Sequence, residues 1–537
     1  MQTLLLGLDG TCRSILAPLF EDGVMPRVEA LFDDGTSGPL TSQLPPWTPS
    51  AWPSLYTGVN PGKHGVFGFL RFDGYDWDVV NRSDVREFAL WELLDEHGLT
   101  SVVVNVPVTH PAREFDGALL PGYIAPADPA CHPEGLLADV QEAIGDYDVY
   151  SPLDRPGETD LNEAAAHARS RGEAFRYLVD RYDPDFGFLE FQQTDSVFHA
   201  RPGDDEAVRR IYGAVDDAVG QVLDDCDPDN VVLVSDHGMG EYDGYDIRLN
   251  EYLRETGFVE STTEGTGMPS WDAIARNQLQ DGAEGGGQPS PGAAERLAAT
   301  ASQLGLTSQR IQAVLEPLGI AEFVARHAPT DAVRAGTEQV DFHASRAFVR
   351  DRIELGVRLN VAGREPDGVV PPGDYDDHRD ELIDALNSLE TPDGEPAFED
   401  VLPREDVFSG PYAERAPDVV TVPNSFEHTL NVSLLGEVFD DEPFEPWNHK
   451  RDGIVAATGD AVDETASLAD AHLFDVAPTV LTTLGIPRSD RMDGEPLPIV
   501  DETPARRYPE FEARERTDTD DEAVEERLAH LGYLSGE

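Results

Sequence analysis

Three short apolar runs, residues 4–8 (LLLGL), 186–191 (FGFLEF) and 231–234 (VVLV), each give way within a few positions to an aspartate. Runs this short and this apolar have no polar face to turn to water, so they predict central strands of a sheet covered on both sides. Between the second and third, Val208, Ile211, Tyr212, Val215, Val219, Val222 and Leu223 recur at helical spacing, which predicts the crossover helix of a parallel sheet. The fold class that follows is α/β, a central and mostly parallel sheet with helices on both faces. In such a sheet ligands bind beyond the carboxyl ends of the strands. Asp9-Gly10, Gln192-Gln193-Thr194-Asp195 and Ser235-Asp236-His237-Gly238 all stand there. One aspartate in such a place is ordinarily a turn or cap residue, whereas three with an adjacent histidine point to a site.

The length of 537 residues allows three or four domains, or one enlarged by insertions. Residues 1–255 read as the first part of the α/β core. Over 256–339 a Gly, Ser, Thr and Pro rich stretch is followed by a helical pattern, which predicts a flexible and helical cap insertion. Strand patterns near Phe348 and over 356–361 and 454–458 place the return to the core in 340–500. The charged tail, 501–537, has one short amphipathic pattern at 523–534 and reads as peripheral.

Asp and Glu number 104 against 39 Lys and Arg, a net charge of −65, while 40% of residues are hydrophobic. That apolar fraction supports a packed core, so the acid belongs to the surface. A field this negative repels phosphate backbones and anionic lipid, which argues against nucleic-acid duplexes and membranes as partners. Lys63 and Lys450 are the only lysines. Abundant carboxylate with almost no lysine resembles proteins from organisms with molar intracellular salt, where the Debye length is about 3 Å; such a chain is expected to unfold in dilute buffer. Cys12, Cys131 and Cys226 are too few for a disulfide framework or zinc ribbon. The N-terminal MQTLLLGLDG lacks a basic region and a cleavage site, and no run approaches about 18 apolar residues. A soluble, cytoplasmic protein is expected.

Asp195 and His199 stand four apart and share one face if the loop turns helical, as a metal-ligand pair does. Asp236 and His237 are adjacent, and the turn at Gly238 allows both to enter one cavity. Carboxylate with imidazole suits Zn²⁺ or Mn²⁺ better than Ca²⁺ or Cu(I). There is no H-E-x-x-H, so a zincin protease is excluded. The segment Pro45-Pro46-Trp47-Thr48-Pro49-Ser50-Ala51-Trp52 leads through Thr57-Gly58 to Gly62-Lys63-His64-Gly65. Its Gly58-x-x-x-Gly62-Lys63 is one residue short of a P-loop and puts His64 where a Mg²⁺-binding Ser or Thr is needed. The C/S-x-P-x-R of a sulfatase is also missing.

Asp9, Thr48 with Thr57-Gly58 and His64-Gly65, Asp195 with His199, Asp236-His237, and His449 in Asn448-His449-Lys450-Arg451-Asp452-Gly453-Ile454 together resemble the alkaline phosphatase superfamily. Within it the chain is similar to type I phosphodiesterases and nucleotide pyrophosphatases and to related phosphohydrolases or phosphomutases. The likeness runs over about 1–255 and 340–500. It implies a two-metal phosphoryl-transfer site, with one ion on Asp195, His199 and His449 and the other on Asp9, Asp236, His237 and the Thr48 oxygen. Zn²⁺ is the expected metal and Mn²⁺ the alternative. Thr48 would be the nucleophile, because metal coordination makes a hydroxyl reactive at neutral pH. The implied activity is hydrolysis of a small phosphate ester, a diester foremost, with a phosphomutase or phosphomonoesterase and a non-catalytic metal protein as alternatives.

Lys63 and Lys450 flank motif histidines and are candidates for orienting phosphate, as are Asn360 and Arg364, which otherwise cap a turn. His64 either hydrogen-bonds behind Thr48 or simply completes a Gly-flanked turn, the second being favoured. His428 rivals His449, which is preferred for the strand that follows it. In nucleotide pyrophosphatases an Asn that helps bind a phosphoryl oxygen stands where this chain has Phe69, a departure bearing on nucleotide specificity.

Overall fold

A computed structural model describes residues 1–154, 160–262, 338–441, 443, 445–501, 503–514, 516 and 524. Most of the cap insertion expected over 256–339, and the amphipathic pattern at 523–534 apart from Val524, lie outside the described residues.

The central sheet has eight strands: β1 (Thr3–Leu8), β2 (Thr36–Thr41), β5 (Ser101–Val104), β6 (Gly117–Leu120), β7 (Phe186–Phe191), β8 (Asn230–Val234), β15 (Asp452–Gly459) and β16 (Ala471–His472). A hairpin of β3 (Leu70–Asp73) and β4 (Asp76–Val79), a ribbon of β9 (Gly238–Glu241) with β14 (Trp447–Lys450), and a second sheet of β10 (Ala347–Phe348), β11 (Gly356–Leu359), β12 (Phe398–Pro403) and β13 (Val419–Pro423) complete the strands used below. The central order is β16-β2-β15-β8-β1-β7-β5-β6, with β15 alone running against its neighbours. Alternate residues of each strand face opposite cores. Leu5, Phe188 and Val232 join one, with Trp52, Leu55 and Tyr56 of helix α1 (Thr48–Thr57). Leu4, Leu6, Leu189 and Leu233 join the other, with Phe175 and Leu178 of α3 (Leu161–Tyr182) and Ile211, Tyr212 and Val215 of α5 (Asp205–Cys226). Burying a Leu or Phe stabilises by roughly 1.5–3 kcal/mol, which is why runs with no polar face settle at the centre.

The three runs are adjacent in space, because β1 lies between β7 and β8. The crossover helix α5 therefore carries the chain over β1 rather than to the next position in the sheet. Strand order is a tertiary property that helical spacing does not encode. The strands near Phe348 and Gly356 do not rejoin the central sheet as expected. They form the second sheet, ordered β10-β11-β13-β12, and only from Trp447 does the chain return beside the central strands.

Candidate active site

The carboxyl ends of β1, β8 and β7 open on one place. Asp9 follows β1 directly. Gly10 comes next with φ +64°, and a Cβ there would sit 2.9 Å from Asp195 Oδ1, so the left-handed turn and the close approach both call for glycine. Beyond β7 the chain enters α4 (Gln193–Ala200), which puts Asp195 and His199 one turn apart on one face. Beyond β8, Ser235 Oγ donates to His237 O at 2.5 Å, closing a tight turn that directs both Asp236 and His237 inward. His449 lies on β14, paired with β9 in the register His449 to Met239, so its ring stacks on His237 with centroids 3.7 Å apart. Thr48 is the first residue of α1, fully buried, with Oγ1 3.3 Å from His237 Nε2.

Two groups of ligand atoms result, linked by His237, which lies within ligand reach of Asp195 and His449 as well as of Asp9 and Asp236. Asp195 Oδ1 lies 3.5 Å from His199 Nε2 and 3.4 Å from His449 Nε2, and the two imidazole nitrogens are 3.3 Å apart. His237 Nε2 lies 3.4 Å from Asp9 Oδ1 and 3.3 Å from Asp236 Oδ2. His237 Nδ1 faces Gly238 O at 3.0 Å and His449 Nδ1 faces Pro46 O at 3.0 Å. A carbonyl only accepts, so Nδ1 carries the proton and Nε2 turns its lone pair to the cavity, the tautomer a metal ligand needs. Asp9 Oδ1, Asp195 Oδ1 and Asp236 Oδ2 are buried with no hydrogen-bond partner among the described residues. Orphan carboxylate oxygens facing imidazole lone pairs in a buried place are a donor set that fits divalent cations.

The electrostatics carry the same strain. Burial, then Asp195, raises the Asp9 carboxyl well above its ordinary pKa, and burial, then Asp9 and Asp195, does so for Asp236. Burial also pushes Asp195 up, but His199 and His449 outweigh it and hold that carboxyl below the usual range. Burial pulls His199 down, yet Asp195 wins and the imidazole sits at about 8. Burial lowers His237 and His449.

A type I phosphodiesterase / nucleotide pyrophosphatase family model matches residues 3–426, about four-fifths of the chain. The chain belongs to that family. As a type I phosphodiesterase family member of the alkaline phosphatase superfamily, it is a metal-dependent hydrolase acting on phosphoric ester bonds. No curated protein is similar to it in sequence. Among solved structures, the phosphonoacetate hydrolase of Sinorhizobium meliloti 1021 in complex with phosphonoformate has a TM-score of 0.52 at 16% identity, covering 89% of this chain and 94% of that one. Human ectonucleotide pyrophosphatase / phosphodiesterase 5 has a TM-score of 0.47 at 13% identity, covering 95% and 97%. At 16% identity the likeness to the phosphonoacetate hydrolase is one of fold.

The four other candidates of this phosphodiesterase family member are not brought to the cluster. Lys63 Nζ donates to Asp493 Oδ1 at 2.5 Å and to Arg491 O at 2.8 Å, tying the end of α2 (Pro61–His64) to the C-terminal segment. Lys450 follows His449 on β14, so strand alternation turns it away, and Nζ donates to Phe426 O at 2.6 Å. Asn360 gives its amide to Phe342 O and Ser345 O, and Arg364 forks onto Asp418. Those donors serve the second sheet and its loops. His428 accepts from Tyr245 N and also stands outside the two groups.

His64 is fully buried: Val66 N donates to its Nδ1, so Nε2 donates to Ser54 Oγ at 2.9 Å. Ser54 in turn donates to Gln43, whose amide holds Ser50 and Pro45 O. The histidine thus braces the loop that leads to Thr48. Burial lowers its pKa to about 3. The unfolded chain therefore binds an extra proton between about pH 3 and pH 6.5, and stability is expected to fall as pH drops through that window, by on the order of 5 kcal/mol at most. Denaturant melts from pH 7 to pH 4 should show a flatter acid limb in His64→Gln than in wild type. Parallel limbs would reject the contribution.

Several neighbours escape sequence reading. Trp52 Nε1 donates to Asp9 Oδ2 at 2.8 Å, fixing which oxygen faces the cavity. Glu445 Oε2 stands 3.8 Å from His199 Nδ1 and ion-pairs with Arg352 at 3.2 Å. Glu190, inside the apolar run of β7, is buried and accepts from Asn105 at 2.6 Å. Phe69 is buried edge-on to Tyr123, whose hydroxyl has no partner among the described residues and feels Asp195 and Asp9. The only sequence sign of Glu190 is a charge within an otherwise apolar strand, and that of Phe69 is its place at the family's Asn position; Trp52, Glu445 and Tyr123 carry none.

Proposed function

We propose that this chain hydrolyses small phosphate esters, diesters foremost, through a phosphothreonine on Thr48, with two divalent cations, Zn²⁺ or else Mn²⁺. Asp195, His199 and His449 would hold one cation, and Asp9, Asp236, His237 and the Thr48 oxygen the other. The observation that carries this reading is Thr48 Oγ1 lying 3.3 Å from His237 Nε2, inside a buried cluster in which Asp9 Oδ1, Asp195 Oδ1 and Asp236 Oδ2 have no hydrogen-bond partner among the described residues. When bound, the cations supply a lowered hydroxyl pKa and neutralise charge on the phosphoryl oxygens.

The chain's own residues do the rest. The loop braced by His64, Ser54 and Gln43 fixes α1 so that the Thr48 hydroxyl faces the cluster. The positive end of the α1 dipole favours an anion there. The Thr48 oxygen bonds to phosphorus as the ester oxygen leaves with its alcohol, and water then cleaves the phosphothreonine, regenerating the hydroxyl and releasing the phosphate product. The acidic, lysine-poor surface supports work in a salty cytoplasm. Buried, apolar Phe69, at the family's Asn position, favours a second reading: a non-nucleotide phosphomonoesterase or phosphomutase on the same threonine.

The test is to purify the chain in molar KCl, measure bound metal by elemental analysis, and compare aryl phosphate diesters with monoesters at falling salt. The expected result is about two metal ions per chain, faster diester turnover, and loss of fold and activity in dilute buffer. Faster monoester turnover would favour the second reading. Bound metal without turnover of either would leave a non-catalytic metal protein and end the proposal.

A further inference from the structure

A cavity of about 160 Å³ lies between the β3–β4 hairpin and the second sheet, lined by five arginines and three glutamates. In a chain of net charge −65, a pocket wall cationic by two stands out. Three of the arginines are committed within the protein. Arg350 forks onto Glu354 at 2.6 Å through both contacts, Arg358 Nε donates to Glu365 at 2.6 Å, and Arg364 forks onto Asp418. The other two are not saturated. Arg415 Nη1 and Arg71 Nε are buried N–H donors without a hydrogen-bond partner among the described residues. The Asp84 oxygen 3.7 Å from Arg71 Nε already accepts from Arg516 at 3.2 Å. A buried donor left unmade costs roughly 1–3 kcal/mol, and this chain has carboxylates to spare that it does not place there. Burial, then Arg86, with Arg71 also contributing, pushes the Arg415 guanidinium below its ordinary pKa, the effect of cations held together.

We infer that this cavity is a second anion site, in which Arg71 and Arg415 donate to a phosphate-class oxyanion against a floor made rigid by the Arg350 and Arg358 ion pairs. The volume is well under the roughly 300 Å³ at which drug-sized ligand sites begin, which suits one compact, multiply charged group. Planar guanidinium forks match its oxygens. That group is either free phosphate or a phosphate remote from the scissile bond of a substrate. The inference does not depend on Thr48 chemistry, since the two arginines lie outside the metal-ligand cluster.

The test is calorimetric titration of inorganic phosphate into the metal-loaded full chain in high salt, comparing wild type with Arg71→Gln/Arg415→Gln. Wild type is expected to bind two phosphates and the double variant one, the lost site weakening at least about tenfold. Arg71→Lys/Arg415→Lys keeps the charge and should retain part of the affinity, which covers the case in which the Gln pair fails to fold. A kcat/KM drop of about tenfold for esters bearing a second phosphate, with simple aryl esters unchanged, assigns the site to substrate. Unchanged kcat/KM for both, with the second phosphate lost, assigns it to free phosphate. Equal phosphate stoichiometry and affinity in wild type and the Gln or Lys pair overturns the inference. Inertness of the wild type toward every ester would instead sink the reading of Thr48 and leave the phosphate count standing.

Discussion

Thr48→Ala is expected to lower kcat by at least about a thousandfold while leaving the bound metal in place, because it removes the hydroxyl beside His237 and none of the six carboxylate and imidazole side chains. The methyl that remains still fills the first turn of α1, so the loop braced by His64 keeps its course. Metal content by elemental analysis and single-turnover kinetics separate the two effects. In wild type, rapid quench with a labelled ester should trap phosphate on Thr48, and the variant should trap none. Near-normal turnover in the variant would move the nucleophile elsewhere and take the proposed mechanism with it.

Chelation is the second large effect. Removing cations leaves Asp9, Asp195, Asp236 and Glu190 gathered in one buried region, with burial and mutual repulsion raising the pKa of Asp9, Asp236 and Glu190. A ligand present at a thousand times its Kd stabilises by about 4 kcal/mol, so two sites together represent a large share of an ordinary domain's stability. Activity should fall to background after exhaustive chelation and return with Zn²⁺ or Mn²⁺, and the Tm should fall with it. The pH dependence has a definite sign. The metal-free folded state holds protons on Asp9 and Asp236 that the unfolded chain gives up at the ordinary carboxylate pKa, so its stability is expected to decline as pH rises above that range. Loaded protein should not share this slope. Full activity and an unchanged Tm in a verified metal-free sample would remove the metal centre.

The parts of this molecule that the sequence makes legible are those whose cause is local. LLLGL, FGFLEF and VVLV are strands because nothing in them but Glu190 tolerates water, and Asp9, Asp195 and Asp236 stand together because strand ends in a parallel sheet share an edge. His449 is reached only through the family-like residues around it, since no spacing links it to His199, 250 positions away. What fails to be legible depends on partners distant in sequence. An apolar alternation marks Gly356–Leu359 as a strand without saying which sheet it joins. Lys63, Lys450, Asn360 and Arg364 carry suitable chemistry, but carbonyls and carboxylates of other loops occupy them. Glu190 escapes because a charge hidden in a core strand has no pattern of its own.

The ribbon of β9 with β14 bears on how the chain comes off the ribosome. Every N-terminal length ending before residue 449 lacks one member of the cluster, and β15, which fills the gap between β2 and β8, follows only at 452–459. A nascent chain can thus stack β8, β1, β7, β5 and β6 while the pocket stays incomplete. On the proposed reading, loading with metal is expected late in biosynthesis, and truncated products are expected to carry an acidic cavity that cannot charge fully.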